Sequence, residues 1–106
     1  MRPLSVKKRV AKGIEFMNRE YGKYWLRKLT PEEISLRDGK SCILGQVEGD
    51  FFEGMNKLGI GHDEAKELGF DISGNIRTAI NEYDLLDRTW KQSIVRLQKL
   101  FSIQRD

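Results

Sequence analysis

Apolar residues recur along this chain mostly at three- and four-residue spacings, the period of amphipathic helices. Val6, Val10, Ile14, Met17 and Tyr21 make one such stripe and predict a first helix over 5–21, with Ser5 as its cap and Gly22 at its stop. Residues 23–29 carry Tyr24, Trp25, Leu26 and Leu29 without clear period and read as a loop or a short helical turn. Thr30-Pro31, with Glu33 completing a capping box, predicts a short second helix over 31–36, stapled by Leu29 and Ile34. Arg37 to Lys40 is a turn. Leu44, Val47, Phe51, Met55 and Leu58 predict a third helix from 41 to about 58, stopped by Gly59, with Ile60 folding back on Met55. A short fourth helix follows over 62–68, closed by Gly69. Residues 71–75 are turn-rich and 76–80 are undecided between strand, turn and helix. Tyr83, Leu86, Trp90, Ile94, Leu97 and Phe101 predict a last helix from 81 or 82 to about 101.

This pattern predicts an all-α bundle of about five helices, three longer and two short, in a single domain spanning 1–106. Three glycines inside the third helix, Gly45, Gly49 and Gly54, each cost about 1 kcal/mol against alanine. Gly45 and Gly49, four apart, would share a helix face, which suggests another backbone pressed closely there.

Composition adds that the chain is globular but heavily solvated, at 39% hydrophobic and 33% charged residues. A single cysteine, Cys42, allows no internal disulfide and favours a cytoplasmic setting. No apolar run approaches a membrane span. The basic start, Met1 to Arg9, lacks the apolar stretch of a signal peptide; a transit peptide is disfavoured by Glu15, Glu20 and the helix cap.

Charge is polarised within a net +3. Residues 1–28 carry nine Lys/Arg against two Asp/Glu, 29–75 carry four against ten, and 76–106 carry six against four. The basic cluster of Lys7, Lys8, Arg9, Lys12, Arg19, Lys23, Arg27 and Lys28 is a candidate phosphate-binding surface, with Tyr24 and Trp25 as candidate stacking rings. Its competing reading is a solvated face over core aromatics. The acidic middle, Glu48, Asp50, Glu53, Asp63, Glu64 and Glu67, is a candidate face for a basic protein partner, against a plain solvated surface.

Chemistry beyond charge is thin. Cys42 at a helix start, with Gln46 one turn on and His62 elsewhere, outlines a thiol enzyme, but nothing brings His62 to Cys42, and a structural cysteine is the simpler reading. One Cys and one His cannot close a zinc site, and Asp63, Glu64 and Glu67 suit a helix's first turn better than a cation. Gly59-Ile60-Gly61 lacks the third glycine of a dinucleotide loop. No catalytic residue, metal or cofactor is therefore assigned.

The run Cys42-Ile43-Leu44-Gly45-Gln46 resembles a recurring element of small helical proteins of actinobacteria, other Gram-positive bacteria and their phages. The resemblance continues through Gly49-Asp50-Phe51-Phe52-Glu53-Gly54, Leu58-Gly59-Ile60, Leu68-Gly69-Phe70, Glu82-Tyr83, Leu86 and Thr89-Trp90. It covers roughly residues 41 to 90 and implies a phage or mobile-element origin, with Cys42, Gly45, Gln46 and Gly49 forming a meaningful cluster for packing or ligand. It implies no activity. The leading expectation is a non-enzymatic binding protein acting on a host or phage protein. A nucleic-acid-binding accessory protein using the basic helix comes second and a thiol enzyme on Cys42 third. A homodimer through the last helix is a further reading, because its stripe exceeds what a small core needs.

Overall fold

The computed structural model describes residues 5–74 and 77–105. The expectations that touch Met1 to Leu4, Asn75 and Ile76 lie outside them. The described residues form an all-α bundle of five α-helices with no strand: α1 (Val6–Tyr21), α2 (Ile43–Glu48), α3 (Phe51–Leu58), α4 (His62–Glu67) and α5 (Ala79–Leu100). Two 3₁₀ segments, Gly22–Lys28 and Pro31–Glu33, link α1 to the turn before α2.

α1 and α5 frame the molecule. The Ser5 hydroxyl accepts from the Lys8 amide at 3.2 Å and starts α1; Gly22, at φ +62°, turns the chain out of it. The two helices run in the same sense, since Arg9 meets Glu82, Gly13 faces Trp90 and Lys23 lies over Phe101. Gly13 is needed for this docking. A Cβ there would meet the Leu68 carbonyl oxygen and the Trp90 ring, neither of which can withdraw cheaply.

The core is one cluster around Trp25 and Trp90, both fully buried, with Val10, Met17, Leu26, Leu29, Leu44, Leu86 and Ile94. Each indole N–H is satisfied, Trp25 on the Asn18 side-chain oxygen at 2.8 Å and Trp90 on the Gly69 carbonyl at 2.6 Å. Gln98 donates to the carbonyls of Leu26 and Leu29, at 3.0 and 2.9 Å, and so ties the first 3₁₀ segment to α5. Asp87 accepts from the Leu36 amide at 2.9 Å and ties down the following loop; burial raises its carboxyl.

Three local expectations are corrected. The third helix is not continuous. Gly49 adopts the left-handed conformation at φ +97° and ends α2, while the Asp50 carboxylate accepts from the Phe52 and Glu53 amides and starts α3. An aspartate after a glycine is a stop and a start, and these local signals override the apolar period that runs through them. The helix expected over 31–36 is only a 3₁₀ turn, Pro31–Glu33, and the Thr30 side chain makes no cap bond. Its amide instead donates to the Gln46 side-chain oxygen at 2.7 Å. Gly45 and Gly49 do not form a shared packing face: Gly45 lies against the backbone of Gly39 and Lys40, and Gly49 has open space beside it. The stop at Gly59 behaves as expected, with the Ile60 amide donating to the Met55 carbonyl at 3.1 Å.

Candidate nucleic-acid interface

The cysteine-glycine-glutamine cluster is committed to holding the chain's own turn. The Cys42 sulfur accepts from the Gly45 amide at 3.3 Å and lies 3.7 Å from the Gly39 carbonyl oxygen. Cys42 is buried, and burial pushes its thiol up, the opposite of the depressed value that activates a thiol nucleophile. Gln46 uses both ends of its amide: the oxygen holds the Thr30 amide, and the nitrogen donates to the Ser41 carbonyl at 2.8 Å and the Thr30 carbonyl at 3.4 Å. His62 is exposed and packs edge-on to Phe52, with ring centroids 6.3 Å apart. Among the described residues no group of three or more His, Cys, Asp or Glu side chains could hold a metal.

The expected basic surface divides in two. Arg9 does not belong to it. This residue is only 3% exposed, and its guanidinium donates to the Lys66 carbonyl (2.8 Å), the Asp71 carbonyl (2.6 Å) and Glu82 (2.7 Å). Glu82 also accepts from the Ser73 and Gly74 amides at 2.6 and 2.8 Å. Burial raises its carboxyl, but the bonds from Ser73, Arg9 and Gly74 together outweigh burial and hold it below its ordinary value. Arg9 thus pins α1 to the α4–α5 connection. Its neighbours Lys7, Lys8 and Lys12 are exposed and, with Arg88, Arg96 and Lys99 of α5, form no ion pair among the described residues. Arg19 and Lys23 also reach solvent, over the rings of Phe16 (5.8 Å) and Phe101 (3.7 Å). Trp25 is buried and unavailable for stacking, whereas Tyr24 is 53% exposed, with Arg27 and Lys28 at 5.8 and 5.5 Å from its ring centre.

A groove of about 410 Å³ runs between α1 and α5. Val10, Ile14 and Leu97 make its apolar lining, Thr89, Gln92 and Ser93 its polar lining, and Lys7 and Arg96 its two cations. Gln92 and Arg96 continue onto an adjoining shallow surface with Lys91, Val95 and Lys99. The α5 cations were not among the candidates read from the sequence, although a signal existed. From Arg88 to Arg105 the chain has five Lys/Arg and no Asp/Glu. Averaging over the whole last third hid this, because Glu82, Asp84 and Asp87 sit just upstream.

The expected acidic face is likewise partly internal. Glu48 accepts from the Tyr21 hydroxyl at 3.0 Å and pairs with Lys57 at 2.9 Å. Burial raises the Glu48 carboxyl, but Lys57 and Tyr21 outweigh it and lower the net value; the Tyr21 phenol is pushed up by burial and by that carboxylate. Asp50 is the α3 cap. Glu53, Asp63, Glu64 and Glu67 remain exposed, close in sequence to Phe52, which is 64% exposed.

No family model, curated protein or solved structure matches the chain. No helix among the described residues is long and apolar enough to cross a membrane.

Proposed function

We propose that the protein binds nucleic acid through the groove between α1 and α5, as a non-catalytic accessory protein. The observation that carries this reading is the placement of Lys7 and Arg96 on one groove, both without a carboxylate partner among the described residues, beside the C-terminal half of α5, where residues 88–100 include basic residues and no acidic ones. Cations left unpaired along a groove are suited to replace the counterions of a phosphate backbone. The polar groups of Thr89, Gln92 and Ser93 offer hydrogen bonds between them, and the apolar lining suits sugar and base faces. The resemblance over residues 41 to 90 adds an origin in a phage or mobile element, and the lone reduced cysteine suits the cytoplasm of its host.

The test is fluorescence anisotropy with a labelled oligonucleotide over a range of salt. Affinity should fall linearly on a log–log plot, and Lys7→Glu/Arg96→Glu should weaken it and lower the slope by roughly one per cation removed. Binding that ignores salt, or that survives the double reversal unchanged, overturns the reading.

A second reading, a host or phage protein as partner, is favoured by the acidic middle of the chain. There Phe52 stands exposed at a cleft of about 240 Å³ with Phe51, His62 and Tyr83, and Glu53, Asp63, Glu64 and Glu67 are exposed nearby in sequence. A partner recovered from nuclease-treated lysate and lost on Phe52→Ser/Glu64→Lys would support it. A homodimer through α5 has weaker support, since the exposed Leu85, Val95 and Leu100 are interspersed on one broad face with the exposed cations Arg88, Arg96 and Lys99, which identical copies would bring together.

A further inference from the structure

We infer that the ligand is single-stranded, and that the Tyr24 and Phe101 rings receive its unpaired bases; this rests on the nucleic-acid reading above. The α1–α5 seam does not end at the groove. It runs on to the C-terminal ends of both helices, where Lys23 sits 3.7 Å from the centre of the Phe101 ring. Tyr24 is the next residue of the chain after Lys23. Both rings are open to solvent, Tyr24 at 53% and Phe101 at 38%, and cations attend each: Lys23 on Phe101, Arg27 and Lys28 on Tyr24. Aromatic rings alternating with cations are the arrangement that tracks a single strand, because each base offers a face to a ring and each phosphate a charge to a lysine or arginine.

The mount of the ring supports the same conclusion. Tyr24 precedes two anchored residues: Trp25 is fully buried and bonded to Asn18, and Leu26 is buried with its carbonyl held by Gln98. An exposed ring on a fixed backbone loses little freedom when a base stacks on it. A duplex offers such a ring no base face without unstacking a step, whereas a single strand offers its bases freely. From Lys7 to Tyr21 the seam is roughly 21 Å long at the helical rise, room for a strand of several nucleotides.

The experiment compares the full chain's affinity for a labelled oligothymidylate, an oligouridylate and a mixed-sequence duplex of equal length at one ionic strength. The single strands should bind more tightly than the duplex. Tyr24→Leu/Phe101→Leu should weaken the single strands by about tenfold or more and leave the duplex affinity and the salt slope unchanged, while Tyr24→Phe keeps wild-type binding. Equal affinity for duplex and single strand, or a double variant that still binds oligothymidylate like wild type, overturns the inference. If the double variant does not fold, ultraviolet crosslinking of the wild-type protein to bromouracil-containing strand decides: adducts on Tyr24 or Phe101 support it, and adducts confined elsewhere overturn it. Salt-sensitive duplex binding without preference for single strands sinks this inference alone. Absence of binding to any of the three at low salt sinks the groove reading as well.

Discussion

The turn around Cys42 and the seam between α1 and α5 use their polar groups in opposite ways. Around Cys42, the sulfur caps a helix, the Gln46 amide braces two strands of loop, and the Gly39 carbonyl accepts from the Phe51 amide at 2.8 Å. Hydrogen bonds there close inward. Along the seam, Lys7, Arg96 and Lys99 have no carboxylate partner among the described residues, and Thr89, Gln92 and Ser93 line an open groove. A residue cluster that stands out in sequence can therefore serve the fold, while a less conspicuous one is left facing solvent. Arg9 lies in the same basic run as Lys7 and Lys8 and belongs with the first kind.

Breaking the Arg9–Glu82 pair should have the largest effect. Arg9→Ala strands a nearly buried carboxylate and should destabilise by about 3–5 kcal/mol in urea unfolding, against almost nothing for Lys8→Ala next to it. An Arg9→Ala protein as stable as Lys8→Ala would erase the distinction between the two classes. The pH dependence follows from the same pair. Glu82 is held below its ordinary value in the fold, so its contribution is complete above that value and is lost as pH falls through the lower folded one. The stability gap between wild type and Glu82→Gln should thus be full at neutral pH and shrink in acid below the ordinary carboxylate value of 4.5.

The next effect separates the two glycines of the cysteine turn. A Cβ on Gly45 meets the Gly39 and Lys40 backbone, so Gly45→Ala should cost about 1–3 kcal/mol or more by overpacking. Gly49→Ala meets nothing but must hold a left-handed residue, which costs roughly 1–2 kcal/mol. Gly49→Asn, which tolerates that conformation, should recover part of the loss, and Gly45→Asn should not. The smallest stability effect belongs to the seam: Lys7→Glu/Arg96→Glu should shift unfolding by no more than about 0.5 kcal/mol while impairing binding. A large loss of stability there would show that these cations hold the fold after all.

The stripes of α1 and α5 were legible because sixteen- and twenty-two-residue helices repeat their period often enough to stand out. The break between α2 and α3 was not read, although Gly49-Asp50 spells a stop and a cap, because the apolar period on both sides happens to stay in phase. Pro31 and Glu33 looked like a helix start, but Thr30 is drawn to Gln46, a partner sixteen residues away that no local rule anticipates. The buried role of Arg9 was hidden for the same reason, since Lys66, Asp71 and Glu82 are far away in sequence. The basic character of α1 could be read as a charge run. The groove could not, because it needs α1 and α5 side by side, and the α5 cations are visible only when the acids before Arg88 are set apart.

The two fully buried tryptophans give the protein a built-in optical reporter. Each indole is shielded from water and anchored through its N–H, so emission should be blue-shifted in the folded state and move red only as the core opens. Trp90 sits where α1, the α4–α5 connection and α5 meet, and Trp25 where the first 3₁₀ segment joins the core. Replacing one at a time with phenylalanine would let the two sites be followed separately, and would show whether they open as one unit or in sequence. Neither ring lines the groove, so a ligand arriving there should leave this signal largely unchanged, and denaturation can be read by fluorescence with the nucleic acid present.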